Sequence, residues 1–239
     1  MQDLAAKELL KHENGILSAT TAFGKTVVAA YLISARKVNT LVLVHGKQLM
    51  EQWRQKLAAF LDIAVKEIGQ IGGGRDKRGG FIDIAMLQSV NFRGTVKDFV
   101  AEYGQVTVDE CHPLSAFSFE QVLRQVKAKY VTGLTATPIR KDGHHPIVMM
   151  QCGPIRFRVD AKSQATTGPF EHVVIPRYTS FSLPEPNENA AIHRIYEALA
   201  LDESRNALIF DDLLKALDEG RSPLVLTERT AHVEYLQTD

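Results

Sequence analysis

Two short stretches hold the residue types that chemistry on a phosphate needs. The first is Ser18-Ala19-Thr20-Thr21-Ala22-Phe23-Gly24-Lys25-Thr26. Gly24 lets backbone approach an anion with no Cβ in the way. Lys25 offers a point charge for the β- and γ-phosphates of a nucleotide, and the Thr26 hydroxyl a ligand for Mg²⁺. The second is Asp109-Glu110, at the end of the apolar run Gln105-Val106-Thr107-Val108. There Asp109 can hold Mg²⁺, and Glu110 can orient and polarise an attacking water.

The elements around them suit these roles. Ile16-Leu17 leads into the first stretch as a strand, and Val27, Val28, Ala30, Tyr31 and Ile33 lead out at helical spacing. Strand, tight loop, Gly-Lys-Thr and helix is the layout of a P-loop, whose N–H groups and helix dipole face phosphate oxygens. Ala19 and Ala22 stand where the strict pattern has or favours glycine. An ordinary strand-to-helix turn could also contain Gly-Lys-Thr. The carboxylates break this tie, because the C-terminal end of a strand in an open α/β sheet is where ligands bind. The alternative for the carboxylates is a solvated strand-to-helix loop, where Asp and Glu are common.

The spacing predicts further alternation. Residues 3–12 read as a helix stopped by Asn14-Gly15. Thr40-Leu41-Val42-Leu43-Val44 reads as a strand buried on both faces. A helix over 47–60 follows, with Leu49, Trp53, Leu57 and Phe60 on one face, and core packing is the expected role of Trp53. Residues 65–71 read as a strand running into a basic, glycine-rich loop over 72–80. That loop reads either as a solvated hairpin tip or as a contact to a phosphate backbone. A strand over 82–86, a short helix over 96–101, a helix over 117–126, and strands over 129–134 and 155–159 complete this part.

Composition shifts after about residue 160. We expect one domain over 1–165, a linker with a connecting strand over 166–189, and the start of a second domain over 190–239. In the last, helices over 190–201 and 205–219 precede a strand at Pro223-Leu224-Val225-Leu226-Thr227 and a helix over 230–236. A helix pair, one strand and one further helix cannot bury a sheet, so this part reads as incomplete.

Hydrophobic residues make up 45% of the 239, enough for a buried core, and Lys+Arg and Asp+Glu both number 28. A net charge of zero gives no whole-chain signature of nucleic-acid binding, although a groove can be basic on a neutral protein. Cys111 and Cys152 do not form a disulfide framework, and the reducing cytoplasm is the simpler setting. No apolar run reaches membrane-spanning length.

Taken in order, Ala19–Thr26, Asp109-Glu110-Cys111-His112 and Thr135-Ala136-Thr137 resemble the motifs of the first RecA-like domain of a superfamily 2 helicase. The run Gly133-Leu134-Thr135-Ala136-Thr137-Pro138-Ile139-Arg140-Lys141-Asp142-Gly143 is similar to the branch of XPB-type repair helicases and type III restriction-enzyme translocating subunits. His45 after the 41–44 run, with Gln48-Leu49 and Gln52-Trp53, resembles that branch's motif Ia, and Met86-Leu87-Gln88-Ser89 its motif Ic. The resemblance covers most of residues 1–160. It implies an α/β fold: a RecA-like P-loop NTPase with a mostly parallel sheet flanked by helices. Alanine at the position of Ala19 is usual in superfamily 2.

The resemblance implies ATP and Mg²⁺ as cofactors and nucleic acid as partner, DNA before RNA. Residues 19–26 (Ala19, Thr20, Thr21, Ala22, Phe23, Gly24, Lys25 and Thr26) would bind nucleotide. Thr26 and Asp109 would hold the metal, and Lys25, Asp109 and Glu110 would serve hydrolysis. Gln2 lies about where the family's base-reading glutamine stands. His112, Thr135 and Thr137 would couple nucleotide state to nucleic-acid grip. His45, Gly73, Gln88 and Ser89 would contact nucleic acid, mainly its phosphate backbone. Nothing resembles motifs V and VI, which carry the family's arginine finger, so hydrolysis by this chain is expected to be weak or absent. The expected function is the nucleotide-binding part of a helicase or translocase. A motor subunit of a restriction or phage-defence complex and a non-catalytic nucleotide-dependent interaction module are the alternatives.

Overall fold

Along residues 40–44 and 16–17, successive apolar side chains enter opposite cores, which is what a strand covered on both faces requires. Leu17, Val42 and Val44 join one buried cluster. Ile16, Leu41 and Leu43 join the other. The computed structural model describes residues 1–110, 116–136, 145–159, 173–182, 192–227 and 229–238. They divide into two compact units, 1–171 and 172–239.

The first unit is built on strands β1 (Asn14–Ser18), β2 (Thr40–Val44), β3 (Gly69–Gly72), β4 (Arg75–Lys77), β5 (Ile82–Met86), β8 (Gln105–Val108), β9 (Tyr130–Thr135) and β10 (Ile155–Arg158). They form one sheet in the order β10-β1-β9-β8-β2-β5-β3-β4. Every pairing is parallel except β3 with β4. A small hairpin, β6 (Asn91–Phe92) and β7 (Thr95–Val96), stands apart.

Helices α1 (Gln2–Leu10), α2 (Lys25–Arg36) and α3 (Lys47–Leu61) bury Ala5, Leu9, Val28, Leu32, Trp53 and Leu57 against one face. Helices α4 (Leu87–Val90), α5 (Ala116–Gln125) and α6 (His145–Cys152) bury Val90, Phe119, Val122 and Cys152 against the other. The result is the three-layer α/β arrangement expected of a mostly parallel sheet.

The structure corrects several sequence expectations. The basic segment 72–80 is not all loop: residues 75–77 pair antiparallel with β3. The glycines that suggested a loop supply its turn, with φ of +118°, +62° and +87° at Gly72, Gly73 and Gly74. Its charges are partly paired, Asp76 with Lys97 and Arg78 with Glu102, each at 2.7 Å. The helix expected over 96–101 is a 3₁₀ stretch, Asp98–Glu102, after β7. Phe60 faces solvent.

The second unit has helices α7 (Ile192–Leu201), α8 (Glu203–Asp218) and α9 (Thr230–Thr238). Asp202 caps α8 by accepting the Arg205 N–H at 2.7 Å. Neither residues 173–182 nor 223–227 form the expected strands. Among the described residues no neighbouring strand lies beside either, and an extended segment becomes a sheet strand only by pairing. No helix among the described residues is long and apolar enough to cross a membrane.

Candidate functional site

Five adjacent strands, β1, β9, β8, β2 and β5, end on one rim of the sheet. Their C-terminal ends lead respectively into the 19–24 loop, Thr135, Asp109-Glu110, His45 and Leu87-Gln88. β1 is followed by α2 and then by β2, which lies three places away in the sheet. Such a skip opens the crevice where ligands of open α/β sheets bind.

The loop between β1 and α2 closes on itself. Residues Thr21–Phe23 make a 3₁₀ turn, and Gly24 then takes φ +89°, a conformation that favours glycine. Gly24 is the N-cap of α2, and its carbonyl accepts the N–H groups of Val27 and Val28. Lys25 is nearly buried, and its Nζ donates to the carbonyls of Ala19 at 2.9 Å and Thr20 at 3.4 Å. The same Nζ lies 3.8 Å from Glu110 Oε1. Gln2 donates to the Phe23 carbonyl at 2.7 Å, and a Cβ on Gly24 would strike its amide. The Ala19 N–H donates to the Thr135 carbonyl at 2.9 Å, which ties the start of the loop to the end of β9.

Across the crevice, Asp109 is buried at the end of β8. Its Oδ1 accepts the Glu110 N–H at 3.0 Å, and its Oδ2 accepts the indole N–H of Trp53 at 2.6 Å. Glu110 takes φ +48°, in the left-handed region that a non-glycine residue adopts at a cost. Gly24, Lys25, Thr26, Asp109 and Glu110 line one cleft of about 340 Å³, together with Gln52, Trp53 and Lys56 of α3.

The donor set suits Mg²⁺. A hard cation takes oxygen ligands, and Mg²⁺ keeps several waters and borrows phosphate oxygens instead of using an all-protein cage. A carboxylate and a threonine that line one cleft fit that pattern. Among the described residues no group of three or more His, Cys, Asp or Glu side chains forms a cage.

The remaining candidates gather farther along the rim. Gln88 Nε2 donates to the His45 carbonyl at 3.3 Å. A Cβ on Gly73 would meet Met50 and Lys47 of α3 at 3.1 and 3.3 Å, and one on Gly72 would meet Ser89 at 2.6 Å. His45, Gly73, Gln88 and Ser89 are thus clustered at the start of α3. His112 and Thr137 lie outside the described residues. The cleft residues that the sequence reading missed are Gln52, Trp53 and Lys56. Helical spacing puts Trp53 in the core, and nothing in that spacing signals that its N–H meets a carboxylate.

The family described as "Type III restriction enzyme, res subunit" matches residues 1–140. The "DNA 3'-5' translocase XPB2" of Sulfurisphaera tokodaii is 33% identical over 161 residues, 67% of this chain and 35% of that protein. The "DNA 3'-5' helicase XPB" of Mycobacterium tuberculosis is 28% identical over 242 residues, 91% of this chain and 44% of that protein. The crystal structure of the UvsW helicase from bacteriophage T4 superposes with a TM-score of 0.57 at 21% identity. That match covers 64% of this chain and 57% of that one, and it establishes the RecA-like fold. The chain spans about half or less of the length of the curated relatives it matches.

Proposed function

The chain belongs to the superfamily 2 helicases, in the branch of XPB and the type III restriction-enzyme res subunit, and on that premise we propose that it is the nucleotide-binding part of an ATP-driven motor on DNA. The observation that carries this reading is the convergence of Lys25, Thr26, Asp109 and Glu110 on one cleft. In this reading Lys25 exchanges the Ala19 and Thr20 carbonyls for nucleotide phosphates. The N–H groups of residues 19–26 and the N-terminus of α2 face the same oxygens. Gln2, held on the Phe23 carbonyl, reads the base beside the loop.

Thr26 and Asp109 would hold Mg²⁺, which neutralises charge on the phosphate oxygens when bound. Glu110 orients water and accepts its proton. Its distance of 3.8 Å from Lys25 Nζ supports a role for both groups at one phosphate. His45, Gly73, Gln88 and Ser89 meet the DNA backbone, and contacts of that kind carry little sequence information. The link from the Ala19 N–H to the Thr135 carbonyl supports a role for Thr135 in passing nucleotide state along the rim, with His112 and Thr137 as partners. No stretch of this chain resembles the family's arginine-finger motif, which stabilises charge on the transferring phosphate, so this chain alone hydrolyses ATP slowly. The family's own description favours a second reading, the motor of a restriction complex, which a nuclease domain in the same protein would support.

Equilibrium binding of a fluorescent ATP analogue tests the nucleotide site directly. Charged hydrogen bonds contribute about 1.5–3 kcal/mol, so Lys25→Ala weakens binding by roughly 10- to 100-fold. Equal binding by the unmutated and Lys25→Ala chains would refute the site.

A further inference from the structure

The two oxygens of Asp109 are held differently. Oδ1 accepts from the adjacent backbone N–H of Glu110. Oδ2 accepts from Trp53, 56 positions away in sequence, at 2.6 Å. A tryptophan has one donor and no acceptor. Here that donor meets a carboxylate on the wall of the nucleotide cleft. Hydrogen bonds to an ionised acceptor are shorter and stronger than neutral ones, and this one lies at the short end. The ring is 1% exposed and packs in the α1–α3 core, so it cannot swing away.

Trp53 also belongs to the helix nearest the other candidate surface. α3 starts two residues after His45, and its Lys47 and Met50 adjoin Gly73. Six residues separate Lys47 from Trp53, about 9 Å of helix at 1.5 Å per residue. A packed helix moves as a unit, so displacement of its first turn reaches the indole.

We propose that Trp53 is a positioning residue for the metal-binding carboxylate: its indole N–H fixes Oδ2 of Asp109 and so ties the Mg²⁺ site to α3. This rests on the reading of Asp109 as a Mg²⁺ ligand. The bond sets which oxygen faces the cleft, and it gives the rim near His45 and Gly73 a direct mechanical route to the metal site. Outer-shell partners of this kind typically change metal affinity by about 10- to 100-fold when removed.

The test is nucleotide binding by this chain at increasing Mg²⁺, comparing Trp53→Phe, Asp109→Asn and the double variant. Trp53→Phe removes the donor and keeps an aromatic ring, but a smaller one, so urea unfolding of the variant is measured beside it to separate lost packing from the lost hydrogen bond. We expect the Mg²⁺ concentration for half-maximal effect to rise about tenfold, well beyond any change in metal-free nucleotide affinity. The double variant should behave as Asp109→Asn alone, because the two changes act through one carboxylate. An unshifted Mg²⁺ requirement in Trp53→Phe, beside a shifted one in Asp109→Asn, overturns the proposal and leaves the metal reading standing. An unshifted requirement in Asp109→Asn overturns both.

A second measurement needs no change at position 53. Trp53 is the only tryptophan of the chain. Adding Mg²⁺ to the nucleotide-saturated protein should shift its emission, and Asp109→Asn should abolish that shift. Emission that ignores Mg²⁺ in the unmutated chain would also overturn the proposal.

Discussion

Glu110 and Gly24 both occupy the left-handed region, but for different reasons. Gly24, at φ +89°, turns the loop into α2 and has no side chain to place there. Glu110, at φ +48°, pays backbone strain with a side chain whose carboxylate approaches Lys25. Strain of this kind persists where the surroundings enforce it, and it clusters at functional sites. Glu110→Gln keeps the shape of the side chain, but it exchanges one acceptor oxygen for an NH₂ donor and cannot take up a proton. It should leave nucleotide affinity unchanged and lower turnover by about 10²- to 10⁴-fold, the usual contribution of a general base. Turnover at the unmutated rate would remove Glu110 from that role. Gly24→Ala should weaken nucleotide binding, because the new Cβ meets the Gln2 amide as well as an unfavourable φ. A Gly24→Ala chain that binds normally would show that the loop geometry is not needed.

At the scale of elements, β8 carries Asp109 at its end and an unusual feature in its middle. Among the described residues, Thr107 Oγ1 is buried with no hydrogen-bond partner, and so are both polar atoms of the Gln105 side chain. A buried hydroxyl without a partner costs about 1–3 kcal/mol. Thr107→Val removes it at nearly constant shape and should stabilise the chain by about 1 kcal/mol in urea unfolding. Destabilisation would mean that the hydroxyl has a partner in solution. The parallel strands were legible in the sequence because burial on both faces leaves an unbroken apolar run such as Leu41-Val42-Leu43-Val44. β4 was not, because Arg75-Asp76-Lys77 is exposed throughout and pairs on one side only. Trp53 was legible as core and illegible as a partner of Asp109. Helical spacing fixes which way a side chain faces, but not which atom of another element it meets.

At the scale of the molecule, the two compact units differ in what they can bury. In the second unit Leu224 and Leu226 are more than four-fifths exposed. Its polar centre is His232, whose ring nitrogens lie 3.0 Å from Thr227 Oγ1 and 3.0 Å from Asn206 Oδ1. Asn206 Nδ2 donates to the Ala200 carbonyl, so its Oδ1 accepts from His232 Nε2–H. Burial, and then the nearby Arg205 charge, push the His232 pKa below the usual range. The unfolded chain therefore takes up a proton near pH 6.5, where the folded ring resists it. Stability from this group is present above about pH 6.5 and falls as pH drops toward the lowered value. Hydrogen exchange of α8, corrected for intrinsic rates, should show less protection at about pH 5.5 than at about pH 7.5. His232→Gln should flatten that difference, and a difference that persists unchanged in His232→Gln would assign it to another group. A motor on nucleic acid must couple ATP hydrolysis to its track, so the decisive measurement is ATP hydrolysis by the native protein that carries this chain, with and without single- and double-stranded DNA and RNA, beside Lys25→Ala. We predict stimulation by DNA that disappears in Lys25→Ala. Hydrolysis that no nucleic acid alters would contradict the motor reading and leave an ATPase with some other partner.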